Sequence, residues 1–246
     1  MRKIQILAAL LLILATTLAC SVSIPDVKLE IVTGSGKTAS EERPVSAFTK
    51  VELNGVGSLK ITQGEQESLN IEGDDNILPL ITTEVKDGTL LIGIKKGYTV
   101  NPKASLTYNL TVKNLDQVEL NGLGEVTMDG LQTEAFSIFV RGSGNTKIED
   151  LVADTLRVEI TGLGDITMSG TVDSQVVVIS GSGNYKARDL SSKDAEVRIS
   201  GLGSAKLRVS DNLDARISGG GDIEYIGDPA VQQKVEGLGD IEQVEE

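Results

Sequence analysis

A glycine triplet, Gly-x-Gly, recurs along the chain at nearly constant intervals. From Gly122 onward, the first glycines of successive triplets are 20, 20, 19, 20, 18 and 18 residues apart. A fixed period of this size is typical of solenoids, in which each repeat forms one turn of a continuous stack. Residues 112–246 therefore divide into seven repeats, and the triplets lie at 55–57, 122–124, 142–144, 162–164, 181–183, 201–203, 219–221 and 237–239.

Apolar residues occupy the same positions around each triplet. Because apolar and polar residues alternate, the pattern predicts β-strands with one buried face, and it excludes the 3.6-residue period of helices. The position two before the first glycine holds Leu53, Leu120, Val140, Ile160, Ile179, Ile199, Ile217 and Val235. The position four after it holds Leu59, Val126, Thr146, Ile166, Tyr185, Ala205, Ile223 and Ile241.

One strand before each triplet, one after it and a short third stretch near Leu131, Leu151 and Leu190 predict a three-sided coil, the term used below for one turn of the solenoid. The predicted fold is all-β, a parallel β-helix with coils of 18–20 residues. Glycine suits the corners because it accepts positive φ and lets neighbouring coils approach closely. A β-sandwich of short hairpins is the alternative, although a sandwich does not require identical repeats.

Residues 37–111 contain one clear repeat, at 48–61, and then lose the period. Asp87-Gly88 predicts a hairpin turn, and residues 73–80 predict a helical turn or a wide loop capped by Asp or Asn. We expect irregular first coils that cap the stack, so that residues 37–246 form one continuous domain.

The N-terminus predicts export. Two basic residues, an apolar run and small residues before Cys20 indicate a secretory signal over residues 1–19. Cys20 is the only cysteine, and its position after Leu18-Ala19 resembles the lipobox of bacterial lipoproteins, in which this cysteine is acylated. The alternative is ordinary cleavage near Ala19. If Cys20 is lipidated, residues 20–36 are predicted to tether the β-helix to the lipid. The protein would then lie on the cell membrane or the outer membrane and face away from the cytoplasm.

The charge balance excludes several partners. The chain has 23 basic and 36 acidic residues, and removal of residues 1–19 leaves 21 basic residues and a net charge of −15. This balance argues against nucleic acid, whose binding depends on neutralising phosphates, and against electrostatic binding to anionic lipids. The sequence contains no catalytic constellation and predicts no cofactor.

Polar residues directly after each triplet form a predicted row, the polar row. Carboxylates on adjacent coils could share Ca²⁺, and Asp222 and Asp240 are the best adjacent pair for such a metal site. The alternative is that Asn, Asp and Ser favour turn geometry and bond locally to backbone. The polar row consists of Ser58, Glu125, Asn145, Asp165, Asn184, Ser204, Asp222 and Asp240.

A second outward row, the outer row, lies three residues before each triplet. Surface ion pairs with Glu196 and Asp214 are the simpler explanation of its arginines, and a basic stripe for acidic polysaccharide is the alternative. The outer row consists of Glu52, Glu119, Phe139, Glu159, Val178, Arg198, Arg216 and Lys234. The sequence leaves open whether the leucines at the centres of four triplets face core or solvent; these corner leucines are Leu123, Leu163, Leu202 and Leu238.

Residues 45–240 contain Phe48-x-x-Val51-x-Leu53-x-Gly55-x-Gly57, the Asp75-Asn76 loop and the Gly-Leu-Gly and Gly-Ser-Gly repeats. In these features the sequence resembles the auto-transporter adhesin head GIN-domain family. The resemblance implies a right-handed β-helix in an exported bacterial protein, and it carries over no catalytic residues. We therefore predict a non-enzymatic, lipid-anchored cell-envelope protein, either an adhesin-like binding module for envelope polysaccharide or surface protein, or a structural module. A β-helix enzyme that acts on polysaccharide, with or without calcium, is the alternative.

Overall fold

The computed structural model describes residues 29–245, and these residues form a parallel β-helix, as the sequence predicts. Within them lie eighteen strands and one short 3-10 helix, Leu78–Leu80. The strands are β1 (Glu30–Thr33), β2 (Thr38–Arg43), β3 (Lys50–Asn54), β4 (Ser58–Gln63), β5 (Ser68–Asp74), β6 (Ile81–Lys86), β7 (Thr89–Ile94), β8 (Tyr98–Asn101), β9 (Thr107–Val112), β10 (Gln117–Leu120), β11 (Glu125–Val140), β12 (Thr146–Ile160), β13 (Ile166–Ile179), β14 (Tyr185–Ile199), β15 (Ala205–Ile217), β16 (Ile223–Ile226), β17 (Ala230–Val235) and β18 (Ile241–Gln243).

Each coil has three sides, which we number from the Gly-x-Gly corner. The first side precedes the triplet, the second side follows it, and the third side contains Leu131, Leu151 and Leu190 in register with one another and Gly170. Strands β11 to β15 are 13–16 residues long because each continues across the second and third sides into the next first side. The regular strands are therefore interrupted at the Gly-x-Gly corner.

The predicted inward rows stack in register and form the core. Leu120 pairs with Leu53 on one side and with Val140 on the other, and the same row continues to Val235. Adjacent coils lie about 4.8 Å apart, so these aliphatic side chains pack directly on one another. Seven of the eight residues in this row are buried, whereas Val235, in the last coil, is 44% exposed.

The two ends of the stack differ. At the C-terminal end, Gln233 pairs with Ala215 and Gln243 pairs with Tyr225, so polar side chains occupy core positions of the last coil. Gln243 donates to the carbonyl oxygen of Gly227 at 2.8 Å. The parallel ladder ends there with no further strand stacked on β17 within residues 29–245.

At the N-terminal end the order of coils in space differs from their order in sequence. Strands β7 and β9 pair in parallel with β3 and β4, on the side away from β10 and β11. Strand β6 then adds antiparallel to β7, and β5 and β2 add antiparallel beyond β9. The predicted turn at Asp87-Gly88 joins β6 to β7, and both residues have positive φ. The ladder is therefore closed by antiparallel strands.

Buried Asp74 holds the N-terminal segment against this end. Its carboxylate accepts the backbone N–H groups of Gly36 at 2.6 Å, Lys103 at 2.9 Å and Ala104 at 3.0 Å. Burial opposes ionisation, but these hydrogen bonds outweigh it and lower the pKa of Asp74. The 3-10 helix begins after Ile77 with no side-chain cap, so the predicted capping by Asp or Asn is wrong. Strand β1, which lies within the segment predicted as a tether, pairs with β8.

Glycine is required at the corners because the backbones of adjacent coils approach closely there. A Cβ atom on Gly142 would overlap the carbonyl oxygen of Gly122 in the preceding coil, and one on Gly162 would overlap that of Gly142. Positive φ, which the sequence analysis also expected at these corners, occurs in the triplets at Gly57 alone among the described residues. It occurs instead at the corner between the second and third sides, at Gly130, Asp150, Gly170 and Gly227.

Candidate functional site

The polar row forms a ladder of hydrogen bonds between coils. The N–H group of each residue after the row donates forward, as Ile166 does to the carbonyl oxygen of Asn184 at 2.8 Å. From Asp165 onward, the N–H of each row residue points back instead, and the side chain of the preceding row residue accepts it. These bonds run from Asp165 to Asn145 Oδ1 (3.0 Å), Asn184 to Asp165 Oδ1 (2.8 Å), Ser204 to Asn184 Oδ1 (3.0 Å), Asp222 to Ser204 Oγ (3.3 Å) and Asp240 to Asp222 Oδ1 (2.9 Å).

This ladder changes the interpretation of the candidate metal pair. Local bonding to backbone was the expected alternative to calcium, whereas the side chains accept hydrogen bonds from the backbone of the next coil. Asp222 and Asp240 lie on adjacent coils and are exposed, but one carboxylate oxygen of Asp222 already accepts the N–H of Asp240. Among residues 29–245, no three acidic, histidine or cysteine side chains lie close enough to hold a metal ion together.

The outer row stacks in register along the first side, as predicted. Its C-terminal part is basic, and each cation pairs with an acid two residues away along the chain. Arg216 donates to both carboxylate oxygens of Asp214, at 3.0 and 2.7 Å. The hydrogen bond from Lys234 lowers the pKa of Glu236. A shallow depression of about 380 Å³ lies here, lined by Val178, Arg198, Ile199, Ser200, Arg216, Ile217, Ser218, Lys234 and Glu236.

The corner leucines face solvent, which answers the question that the sequence left open. Leu123 is 71% exposed, Leu163 67%, Leu202 72% and Leu238 95%. Their side chains point outward because the glycines on either side lie against the neighbouring coils. Ser143, Ser182 and Gly220 occupy the same position in the intervening coils, so the leucines recur at every second coil along one edge.

The structure also contains a cleft on the third side that the sequence analysis missed. Coils shorten from 20 to 18 residues after Gly201, and the ledge between longer and shorter coils leaves about 480 Å³ of space. The walls include Val172, Val209, Ser192 and Lys193. Ser192 is buried and continues a chain of hydrogen bonds into the core: Tyr185 donates to Gln175 at 2.8 Å, and Gln175 donates to Ser192 at 2.7 Å. The shortening of the repeat from 20 to 18 residues was the sequence feature that could have predicted this cleft.

Cys20, the predicted lipidation site, lies outside the described residues. Within residues 29–245, no helix is long and apolar enough to cross a membrane. The location of strand β1 shows only where the chain enters the described structure.

Comparisons with known proteins agree with this architecture. The family described as "Putative auto-transporter adhesin, head GIN domain" matches residues 47–229. A crystal structure of a "putative adhesin" from Bacteroides fragilis is 30% identical, with a TM-score of 0.83, over 87% of this chain and 100% of that chain. A "putative lipid binding protein" from Parabacteroides distasonis is 26% identical, with a TM-score of 0.75, over 87% of this chain and 100% of that one.

A "putative adhesin" from Parabacteroides merdae is 25% identical, with a TM-score of 0.69, over 87% of this chain and 99% of that chain. No curated protein matches the chain in sequence. The matches support an adhesin-like role at the cell surface or in another exported location, and they favour a non-enzymatic protein.

Proposed function

Because the chain belongs to the auto-transporter adhesin head GIN-domain family, we propose that it is a non-enzymatic, adhesin-like protein of the cell envelope, anchored by a lipid on Cys20, that binds an acidic polysaccharide. The anchor is supported by the sequence alone. The basic signal start, the apolar run and the position of Cys20 after Leu18-Ala19 resemble the signal of bacterial lipoproteins, although Thr17 stands where leucine is most common.

The observation that carries the binding function is the alignment of Arg198, Arg216 and Lys234. The three residues lie in register on adjacent coils, and all are exposed on the first side. A guanidinium group has five N–H donors in a planar fork, and the pair with Asp214 uses two of those of Arg216. The Arg216 side chain is 52% exposed, so a polymer with regularly spaced carboxylates can reach the remaining donors and pair with successive coils.

The exposed ion pairs do not prevent such binding. Exposed pairs contribute about 0–1 kcal/mol each, so exchanging Glu196, Asp214 or Glu236 for a polymer carboxylate costs little. The protein is negatively charged overall, which favours a weak, salt-dependent interaction confined to this patch. The regular spacing between coils lets several weak contacts act together along one polymer chain.

The test is titration of polygalacturonate into the protein at low salt, followed by calorimetry. The triple variant Arg198→Gln, Arg216→Gln, Lys234→Gln should bind at least about tenfold more weakly, which corresponds to about 1.4 kcal/mol. The matched control is Lys147→Gln, Lys186→Gln, Lys206→Gln, which removes the same charge from the second side, where each lysine also pairs with an acid. Equal losses in the two triple variants, or no binding by the wild type, would contradict the proposal.

A further inference from the structure

The corner leucines form an apolar line along one edge of the solenoid. Six coil steps separate Leu123 from Leu238, a distance of roughly 29 Å at the usual spacing between stacked strands. All four side chains are at least 67% exposed, and they lie at the bends between strands, so that together they form an exposed apolar line. Of the described residues, five other large apolar side chains are 36–71% exposed: Leu29, Ile31, Val152, Val231 and Val235.

Two of those five, Leu29 and Ile31, lie at the N-terminal end of the same edge. In the parallel coil that stacks beyond β3 and β4, the segment between β7 and β9 replaces the triplet, because Gly93 pairs with Asn54 and Thr107 pairs with Ser58. Strand β8 is part of that segment, so it lies at the Gly-x-Gly corner, and β1 pairs with β8. The chain therefore enters the described structure beside the edge that carries the corner leucines.

The length of chain before this point limits the distance to a lipid on Cys20. Nine residue steps separate Cys20 from Leu29, and a fully extended chain of that length spans roughly 30 Å. An acylated Cys20, on which this inference rests through the proposed function, would hold the N-terminal end of the edge within that distance of the bilayer. A tether this short raises the effective concentration of lipid surface at the leucines and favours weak apolar contacts.

The charges beside the leucines distinguish between occupants of the edge. Glu125, Asp165, Asp222 and Asp240 of the polar row flank it. In a pair of chains joined edge to edge, these carboxylates would face one another and repel, and anionic headgroups would be repelled in the same way. Zwitterionic headgroups instead present ammonium groups that the carboxylates attract.

We propose that the corner leucines form a membrane-contact edge, along which the anchored solenoid lies on a bilayer of zwitterionic, amine-containing lipids. Leu123, Leu163, Leu202 and Leu238 enter the interfacial region, and the acidic part of the polar row contacts the ammonium groups. The basic patch of the first side stays accessible to a polymer, because it lies on a side and not on this edge.

The test uses the full acylated protein on vesicles of phosphatidylethanolamine and phosphatidylcholine. Ser182→Cys places a thiol on the edge between Leu163 and Leu202, and Ser191→Cys places the control thiol on the exposed third side, opposite the corner. Each thiol carries an environment-sensitive fluorophore, and spin-labelled lipids quench any fluorophore that reaches the bilayer. We expect at least about threefold stronger quenching at position 182 than at 191, with less difference on phosphatidylglycerol vesicles.

Replacement of all four corner leucines by serine should remove the difference while the protein still sediments with the vesicles. Val152→Ser on the third side is the matched control and should leave it unchanged. Equal quenching at the two positions on anchored protein would overturn the inference. A spectral shift at 182 that grows with protein density, without lipid quenching, would overturn it in favour of a second copy. Failure of the wild type to sediment would instead contradict the lipid anchor of the proposed function.

Discussion

The Oδ1 atom of Asp165 accepts the backbone N–H of Asn184, its counterpart in the next coil, at 2.8 Å, and also the side-chain amide of Asn184 at 2.9 Å. Partial burial opposes ionisation of Asp165, but the ammonium of Lys186 and these N–H groups outweigh it and lower its pKa. A lowered pKa in the folded state means that ionisation of Asp165 stabilises the fold at neutral pH.

Asp165→Ala should lower the free energy of unfolding by about 1–2 kcal/mol at neutral pH, because the N–H of Asn184 loses its acceptor. Asp165→Asn keeps an acceptor oxygen and should cost less. The carboxylate's contribution is present above the ordinary carboxyl pKa of 3.8 and is lost as the pH falls through the lowered pKa. Urea titrations over this range should show a smaller loss of stability on acidification in Asp165→Asn than in wild type.

The triplet Gly219-Gly220-Gly221 offers an internal control for the close approach of coils. Gly219→Ala and Gly221→Ala place a Cβ atom on the carbonyl oxygens of Gly201 and Gly203, and each should cost about 3 kcal/mol or more. In Gly220→Ala the nearest atom is the Leu202 side chain at 3.2 Å, which can move, so the cost should stay below about 1 kcal/mol. Similar melting temperatures for the three variants would refute close approach as the reason for these glycines.

Ile160 is the last residue of β12, and Thr161 follows it. Ile160 is fully buried and Thr161 is exposed. Ile160→Ala should therefore destabilise the protein by about 2–5 kcal/mol, whereas Thr161→Ala should cost well under about 1 kcal/mol. Denaturant unfolding of the two variants measures the difference, and equal effects would disagree with the observed orientation of the strand.

Cys20 provides a direct test of the anchor. Mass spectrometry of protein purified from membranes should detect acyl chains on Cys20, and Cys20→Ser should give an uncleaved or soluble form. Several acyl chains hold a protein on a bilayer stably, at about 0.8 kcal/mol per buried CH₂ group. An unmodified mature protein, free in the medium, would rule out lipidation.

Calcium should have little effect on the melting temperature. The carboxylate of Asp222 already accepts the N–H of Asp240, and two carboxylates supply fewer oxygens than the six to eight that Ca²⁺ requires. A ligand that binds only the native state raises stability by RT ln(1 + [L]/Kd), so a calcium titration by calorimetry is sensitive to any site. A saturable rise that Asp240→Asn abolishes would show that the pair binds calcium and would favour the polysaccharide-acting enzyme.

The repetitive part of the fold was predictable because each of its rules is local. The row from Leu53 to Val235 repeats at fixed distances from the triplets, and strand geometry alone determines which side of the strand is buried. The direction of the corner leucines was not predictable in this way. It depends on how many residues the backbone uses to turn at Gly-x-Gly, which the alternation of apolar and polar residues does not reveal.

The N-terminal end shows where local rules fail. The repeat at 48–61 is clear in the sequence, but nothing near it indicates that β7 and β9 stack outside it. Those pairings join segments that are about 40–50 residues apart in sequence. A short window of sequence therefore contains only one partner of each pair. The contacts of Asp74 with Gly36 and Lys103 have the same origin, since three distant loops meet at one carboxylate.

The polar side chains at core positions of the last coil have a consequence for how the molecule opens. In a stack where each coil contacts only its neighbours, disruption spreads one coil at a time from whichever end is weaker. Antiparallel strands hold one end, whereas Gln233 and Gln243 leave the other with less apolar contact. The solenoid should therefore unfold sequentially from its C-terminal end. Amide hydrogen exchange should be fastest in β17 and β18 and become progressively slower toward β11.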